Sequence, residues 1–205
     1  MIQLKAKLIG EKDLLNMLDI NKHRLLVRGA TNTAGAKAFS ATKRAVKKRY
    51  NITVNMGQIP FTKQKATTTD MTFKIITNTR MQNIGVMFKG AKQTASGVQV
   101  QIKKGQKKII KGSFIARPTG KSYTDRGQKK QVTTDKQLIL KRKTDKAYLT
   151  EGAGDSAPKG IGWATVLLNK AIKQETSRVF QEEFQKNFYK RLEKLANKNI
   201  MVVGD

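Results

Sequence analysis

The sequence predicts an α+β fold: a mostly antiparallel sheet packed with two long helices, plus an extended basic arm or long hairpin. Three observations carry that expectation. Two stretches, 21–50 and 161–197, repeat apolar residues at spacings of three and four, the stripe of a helix lying on a core. Several short segments between them alternate apolar and polar residues, the period of a half-buried strand. Residues 117–158 are polar, Gly- and Thr-rich and basic, which suits a projecting segment better than a core. All 205 residues are expected to form one domain, with 117–158 as its arm.

Taken in order, Ile2, Leu4, Ala6 and Leu8 alternate with Gln3, Lys5 and Lys7, a short strand ended by Gly10. Asp13 can cap a brief helix with Leu14, Leu15 and Leu18 on its apolar side. The first long helix follows. Its stripe is made of small residues (Ala30, Ala34, Ala38, Ala41, Ala45), so it can lie close to a neighbour. Gly29 and Gly35 each cost about 1 kcal/mol against Ala inside a helix and mark close contacts or a bend. Its end carries Lys43, Arg44, Lys47, Lys48 and Arg49, which suits the negative end of the helix dipole and offers contacts to phosphate.

Ile52 and Val54 can begin a strand, but Pro60 and Thr67–Thr69 argue for a loop. Strands are expected at Met71–Asn78 and at Ile84–Phe88. Gly97–Ala116 then reads as a hairpin. Val98, Val100 and Ile102 share one face, Lys104-Gly105-Gln106 turns, and Ile109 and Ile110 resume the apolar signal. Lys103, Lys104, Lys107, Lys108 and Lys111 crowd its tip. Another strand is expected at Gln137–Lys141, followed by Arg142 and Lys143. The second long helix carries Phe180, Phe184, Phe188, Leu192 and Leu195 on one stripe, a core face by its spacing. Ile200–Val203 reads as a short terminal strand.

Charge is the outlying property. Lys and Arg total 42 against 14 Asp and Glu, a net +28. From Val98 to Tyr148 there are 15 Lys or Arg against Asp125, Asp135 and Asp145, a net +12. Such a chain repels itself and attracts polyanions: nucleic acid, or acidic neighbours in a larger assembly. No run of 18 apolar residues appears, so no membrane partner is expected. The first residues lack a signal-peptide pattern. Absence of cysteine excludes disulfides and thiolate chemistry and is compatible with a reducing cytoplasm.

Catalytic constellations are missing. His23 is the only histidine, with Leu26 and Val27 where helical ligand spacing would want a second donor, so it reads as a surface or cap residue. Glu182 and Glu183 are adjacent and point about 100° apart on a helix. Gly152-Ala153-Gly154-Asp155-Ser156 lacks the spacing and lysine of a phosphate loop. No enzyme, metal or cofactor is expected.

Four features together resemble the minor tail protein Z family of tailed bacteriophages, the tail completion proteins. They are the helix from Arg28-Gly29-Ala30-Thr31-Asn32 through Thr42-Lys43-Arg44 to Tyr50, and the strand pair around 71–88. With them come Gly97-Val98, Lys103-Lys104-Gly105 and Gly112-Ser113-Phe114-Ile115-Ala116, then the Gly154-Asp155-Ser156-Ala157-Pro158 loop before the last helix. The chain departs from the family in having no Pro-Ile turn after Lys141-Arg142-Lys143 and in a longer, more polar insert at 117–146.

The resemblance implies a non-enzymatic virion protein at the head-proximal end of the tail or the neck, assembled in the host cytoplasm. It implies a homo-oligomeric, hexameric ring around the DNA channel that meets tail tube, tail terminator or head–tail connector proteins. On that reading Val98, Val100, Ile102, Phe114, Ile115, Phe184 and Phe188 face partners or other copies. Lys43, Arg44, Lys47, Lys48, Arg49, Lys103, Lys104, Lys107, Lys108, Lys111, Lys141, Arg142 and Lys143 meet DNA or acidic proteins. The alternative from another class is a sequence-independent nucleic-acid-binding protein using the same cations.

Overall fold

The computed structural model describes residues 1–5, 20–79, 83–116, 119–123, 129–133, 138–141 and 162–200. It is α+β, with antiparallel sheets and two long helices. The chain divides into two compact units: Met1–Val46, Pro60–Asn78 and Ala164–Asp205 form the first, Lys47–Ile59 and Thr79–Trp163 the second.

The first unit has a three-stranded antiparallel sheet. Strand β3 (Phe73–Thr77) lies between β1 (Ile2–Leu4) and β2 (Phe61–Gln64). Ile2 pairs with Ile75 and Leu4 with Phe73, and all four side chains are buried. Strand β2 falls where Pro60 and the threonines predict a loop. It is an edge strand with only Phe61 buried, so its alternation is faint and its pairing depends on β3 alone. Helix α1 (Ile20–Arg49) buries the small-residue stripe. Its close approach is visible at Gly35, where a Cβ would sit 2.3 Å from the ring of Phe73. Asn32 fixes the loop after β2: its side chain donates to the Ala66 carbonyl at 3.0 Å and accepts from the Ala66 N–H at 2.8 Å.

The last helix, expected to be continuous from 161, is broken. A short α3 (Trp163–Leu167) stops at Leu168, and α4 (Lys170–Ile200) starts afresh. Asn169 explains the break, since its side chain accepts from the Ala171 N–H at 3.2 Å as an N-terminal cap does. Along α4, Phe180, Phe184 and Phe188 are each 1% exposed and stack in series, with centroids 6.1 and 5.7 Å apart. Burying each ring stabilises the fold by about 1.5–3 kcal/mol. Helices α1 and α4 meet antiparallel: the buried hydroxyls of Thr42 and Thr176 lie 2.8 Å apart, and Arg191, further along α4, reaches back to Thr33. Ile200 closes α4 as helix, not strand; residues 201–203 lie outside the described residues, as does the helix expected after Asp13.

The second unit holds the hairpin. Strand β5 (Gly97–Val100) pairs with β4 (Lys92–Thr94) on one side and β6 (Lys108–Lys111) on the other. Strand β7 (Ser113–Ala116) pairs with β10 (Leu138–Lys141), matching Ile115 to Ile139 and Phe114 to Leu140. Residues 138–141 are therefore part of a sheet with a buried Ile139 and not a free arm. Within the expected arm, β8 (Thr119–Tyr123) and β9 (Lys129–Thr133) form an antiparallel hairpin.

Residues 84–88 correct an expectation. Ile84–Met87 is one turn of helix, α2. Asn83 caps it, accepting from the Gly85 N–H at 2.9 Å, and the turn puts Ile84 and Met87 on one buried face. The Asn83 amide also donates to the Ile139 carbonyl at 2.8 Å and accepts from its N–H at 3.0 Å, serving β10 on the edge that β7 leaves open. Only Phe88 is extended, bridging Ile52.

Candidate functional site

Two basic runs, far apart in sequence, are joined by the chain segment Tyr50–Thr53 of the second unit. On one side Asn51 donates its N–H to the Ile102 carbonyl at 3.0 Å and Tyr50 bridges Lys103. The Lys104 N–H meets the Arg49 carbonyl at 2.9 Å, satisfying one of the open carbonyls at the end of α1. On the other side Lys89 donates its N–H to the Asn51 carbonyl at 2.7 Å, and Thr53 donates to the Val86 and Met87 carbonyls. Tyr50 and Ile52 are buried, 3% and 4% exposed, and anchor the segment.

The junction places the last turn of α1 (Lys47, Lys48, Arg49) against the base of the β5–β6 turn. That turn starts lower than the alternation suggests. Strand pairing ends at Val100 with Lys108, and Ile102 and Lys103 leave β6 to pair with the 50–51 segment. The reversal itself is a β-turn from Lys103 to Gln106, closed at 3.1 Å, with Gly105 at φ +81° as the third position of a type II turn demands. Lys103, Lys104, Lys107, Lys108 and Lys111 are exposed there, as are Lys48 and Arg49, with Lys47 half-buried. Lys141, registered opposite Ser113, adds a further cation beside the Gly112 turn.

Among its described residues the second unit contains no acid to neutralise this surface. Between Ile20 and Thr124 the sequence has a single acid, Asp70, in the first unit. Asp70 is already committed to Lys74 at 2.9 Å. The other ion pairs among the described residues join Arg178 to Glu175 and Glu182 on α4. A cluster of like charges held by a rigid backbone and lacking acids is attractive to a polyanion.

Other expected site residues fall elsewhere. Lys43 and Arg44 belong to the first unit, where the Lys43 ammonium sits 4.8 Å above the Phe39 ring and Lys63 approaches the same ring at 5.8 Å. Arg142 and Lys143 lie outside the described residues. Val98, Val100, Phe184 and Phe188 are 0–3% exposed inside the chain's own packing, so they present no surface to a partner. The reason is placement: β5 is the central strand of its sheet, and the phenylalanines are the inward stripe of α4. Ile102, Phe114 and Ile115 are half-buried. The more open apolar residue of this region is Ile109, 44% exposed on edge strand β6 and not among the residues expected to meet partners.

His23 is buried, 5% exposed, and not a surface residue; its Nε2 has no hydrogen-bond partner among the described residues. Among the described residues no three His, Cys, Asp or Glu side chains gather as a metal site would require. Nor, among them, is any helix long and apolar enough to cross a membrane. Comparisons with protein-family models, with curated proteins and with solved structures find no match.

Proposed function

We propose that this chain is a non-enzymatic structural protein of a phage tail or neck, in which the cationic surface of the second unit faces a polyanion. The observation that supports the reading most is the 50–53 junction, which fuses the end of α1 and the β5–β6 turn into one basic surface. A ring subunit at the head-proximal end of a tail borders a DNA channel and acidic neighbours, and such a surface serves either. Ile109, with half-buried Ile102, Phe114 and Ile115, offers apolar contacts to a neighbouring copy, tail tube, terminator or connector. The role proposed is completion of the tail so that it joins a head, as a hexameric ring in the virion, assembled in the host cytoplasm.

The same surface favours a second reading, sequence-independent nucleic-acid binding by an isolated chain. Light scattering on the purified chain and electron microscopy of particles containing it separate the two. The tail reading expects ring-sized species and density at the tail end. A monomer that binds duplex DNA tightly, with log affinity falling steeply in log salt, would overturn it and leave the second reading.

A further inference from the structure

A groove in the first unit shares no residue with the basic junction. It is formed where the start of α1 meets the later turns of α4, and is lined by Lys22, Leu25, Leu26, Arg191, Lys194 and Leu195. Its volume is about 360 Å³. Ligand pockets span roughly 300–1,000 Å³, so this one has room for a few apolar side chains. The floor is apolar, and Leu25 is 50% exposed although it belongs to a helix that buries its other leucine, Leu26. The rim is cationic on both walls: Lys22 from α1, Arg191 and Lys194 from α4.

Arg191 reaches across to α1. Its guanidinium lies over Gly29, where a Cβ would come within 2.5 Å of Nη1, and Nη2 donates to Thr33 Oγ1 at 3.4 Å. One donor is used and the rest of the planar fork is open. None of the three rim cations is in an ion pair among the described residues. Glu193, the nearest acid in sequence, is two residues from Arg191 and so about 200° around the helix.

We propose that this groove binds an acidic, apolar-faced helical segment of a partner protein, its leucine-like side chains seated between Leu25 and Leu195 and its carboxylates on Arg191, Lys194 and Lys22. Charge complementarity selects this occupant. Cations stand on both walls and a turn apart along α4, which matches carboxylates flanking an apolar row. A single anionic headgroup would engage one wall.

The probe is a synthetic helix with leucines at i, i+3, i+4 and i+7 and glutamates at the flanking positions, titrated into the full chain by fluorescence anisotropy. Saturable binding is expected, weakened about tenfold or more by Leu25→Ser with Arg191→Gln. Both side chains are exposed, so circular dichroism should be unchanged. Lys104→Gln with Lys107→Gln at the hairpin should leave the affinity within about twofold, since neither lysine lines the groove. The proposal is overturned if a peptide with serine for leucine binds as well, if the hairpin pair weakens binding as much as the groove pair, or if the groove pair has no effect. Absence of peptide binding also overturns it, whether accompanied by groove-dependent capture on anionic vesicles or by a dimer that Leu25→Ser dissociates.

Discussion

Helix α1 contains two interior glycines with opposite expected responses to the same change. Replacing either by alanine should gain about 1 kcal/mol of helix propensity. At Gly35 the new methyl would lie 2.3 Å from Cδ2 and Cγ of Phe73. That ring is 1% exposed on the central strand β3. Overpacking of this kind costs about 1–3 kcal/mol, occasionally more. Gly35→Ala is therefore expected to destabilise by up to about 2 kcal/mol net. At Gly29 the methyl meets only the end of Arg191, an exposed and flexible side chain. Gly29→Ala should keep most of the propensity gain and be neutral to about 1 kcal/mol stabilising. Urea titration followed by far-ultraviolet circular dichroism reads both, with Trp163, the only tryptophan, reporting the second unit by fluorescence. A Gly35→Ala variant as stable as Gly29→Ala would refute the claim that the small-residue stripe exists to admit Phe73.

Single contacts carry three more expectations. Asp70, held to about 2 by the hydrogen bond from Lys74 and then by those from Thr72, lies below its ordinary 3.8. A carboxyl depressed on folding contributes stability above the unfolded value and loses it as pH falls through the folded one. The urea midpoint should thus drop between about pH 4 and pH 2, and Asp70→Asn should flatten that stretch of the profile. Asn83→Ala removes the α2 cap and both bonds to Ile139, and should cost about 2–3 kcal/mol on the Trp163 transition. Gly105 has a positive φ, and no atom lies within 4 Å of where a methyl group would stand. Gly105→Ala should therefore cost about 1 kcal/mol by backbone strain alone, with Gly105→Asn milder in the same titration.

Much of the fold is legible in the sequence because it rests on local signals. The α1 stripe, the Met71–Asn78 strand and the turn at Gly105 follow from periodicity and residue type, which neighbours in sequence determine. Ile84–Phe88 misleads because a five-residue run carries both signals: Val86 and Phe88 alternate, while Asn83 is a good cap, and the cap prevails once its amide also binds Ile139. The break at Asn169 has the same origin, an asparagine that competes for backbone N–H groups inside an apolar run. Strand β2 is hidden by its position at a sheet edge, with only Phe61 to mark an inner face.

The candidate site divides along the same line. The sequence by itself determined that the chain is a strong polycation, that its cations crowd the end of α1 and the hairpin tip, and that it has no cysteine. Those are properties of composition and spacing. Only the tertiary structure decided that Tyr50–Thr53 joins Lys47–Arg49 to Lys103–Lys104, because the hydrogen-bond partners of that segment lie about 35–50 residues away and no local pattern names them. It also decided that Val98, Val100, Phe184 and Phe188 are spent on the chain's own core, since an apolar stripe looks the same in sequence whether its partner is the same chain or another.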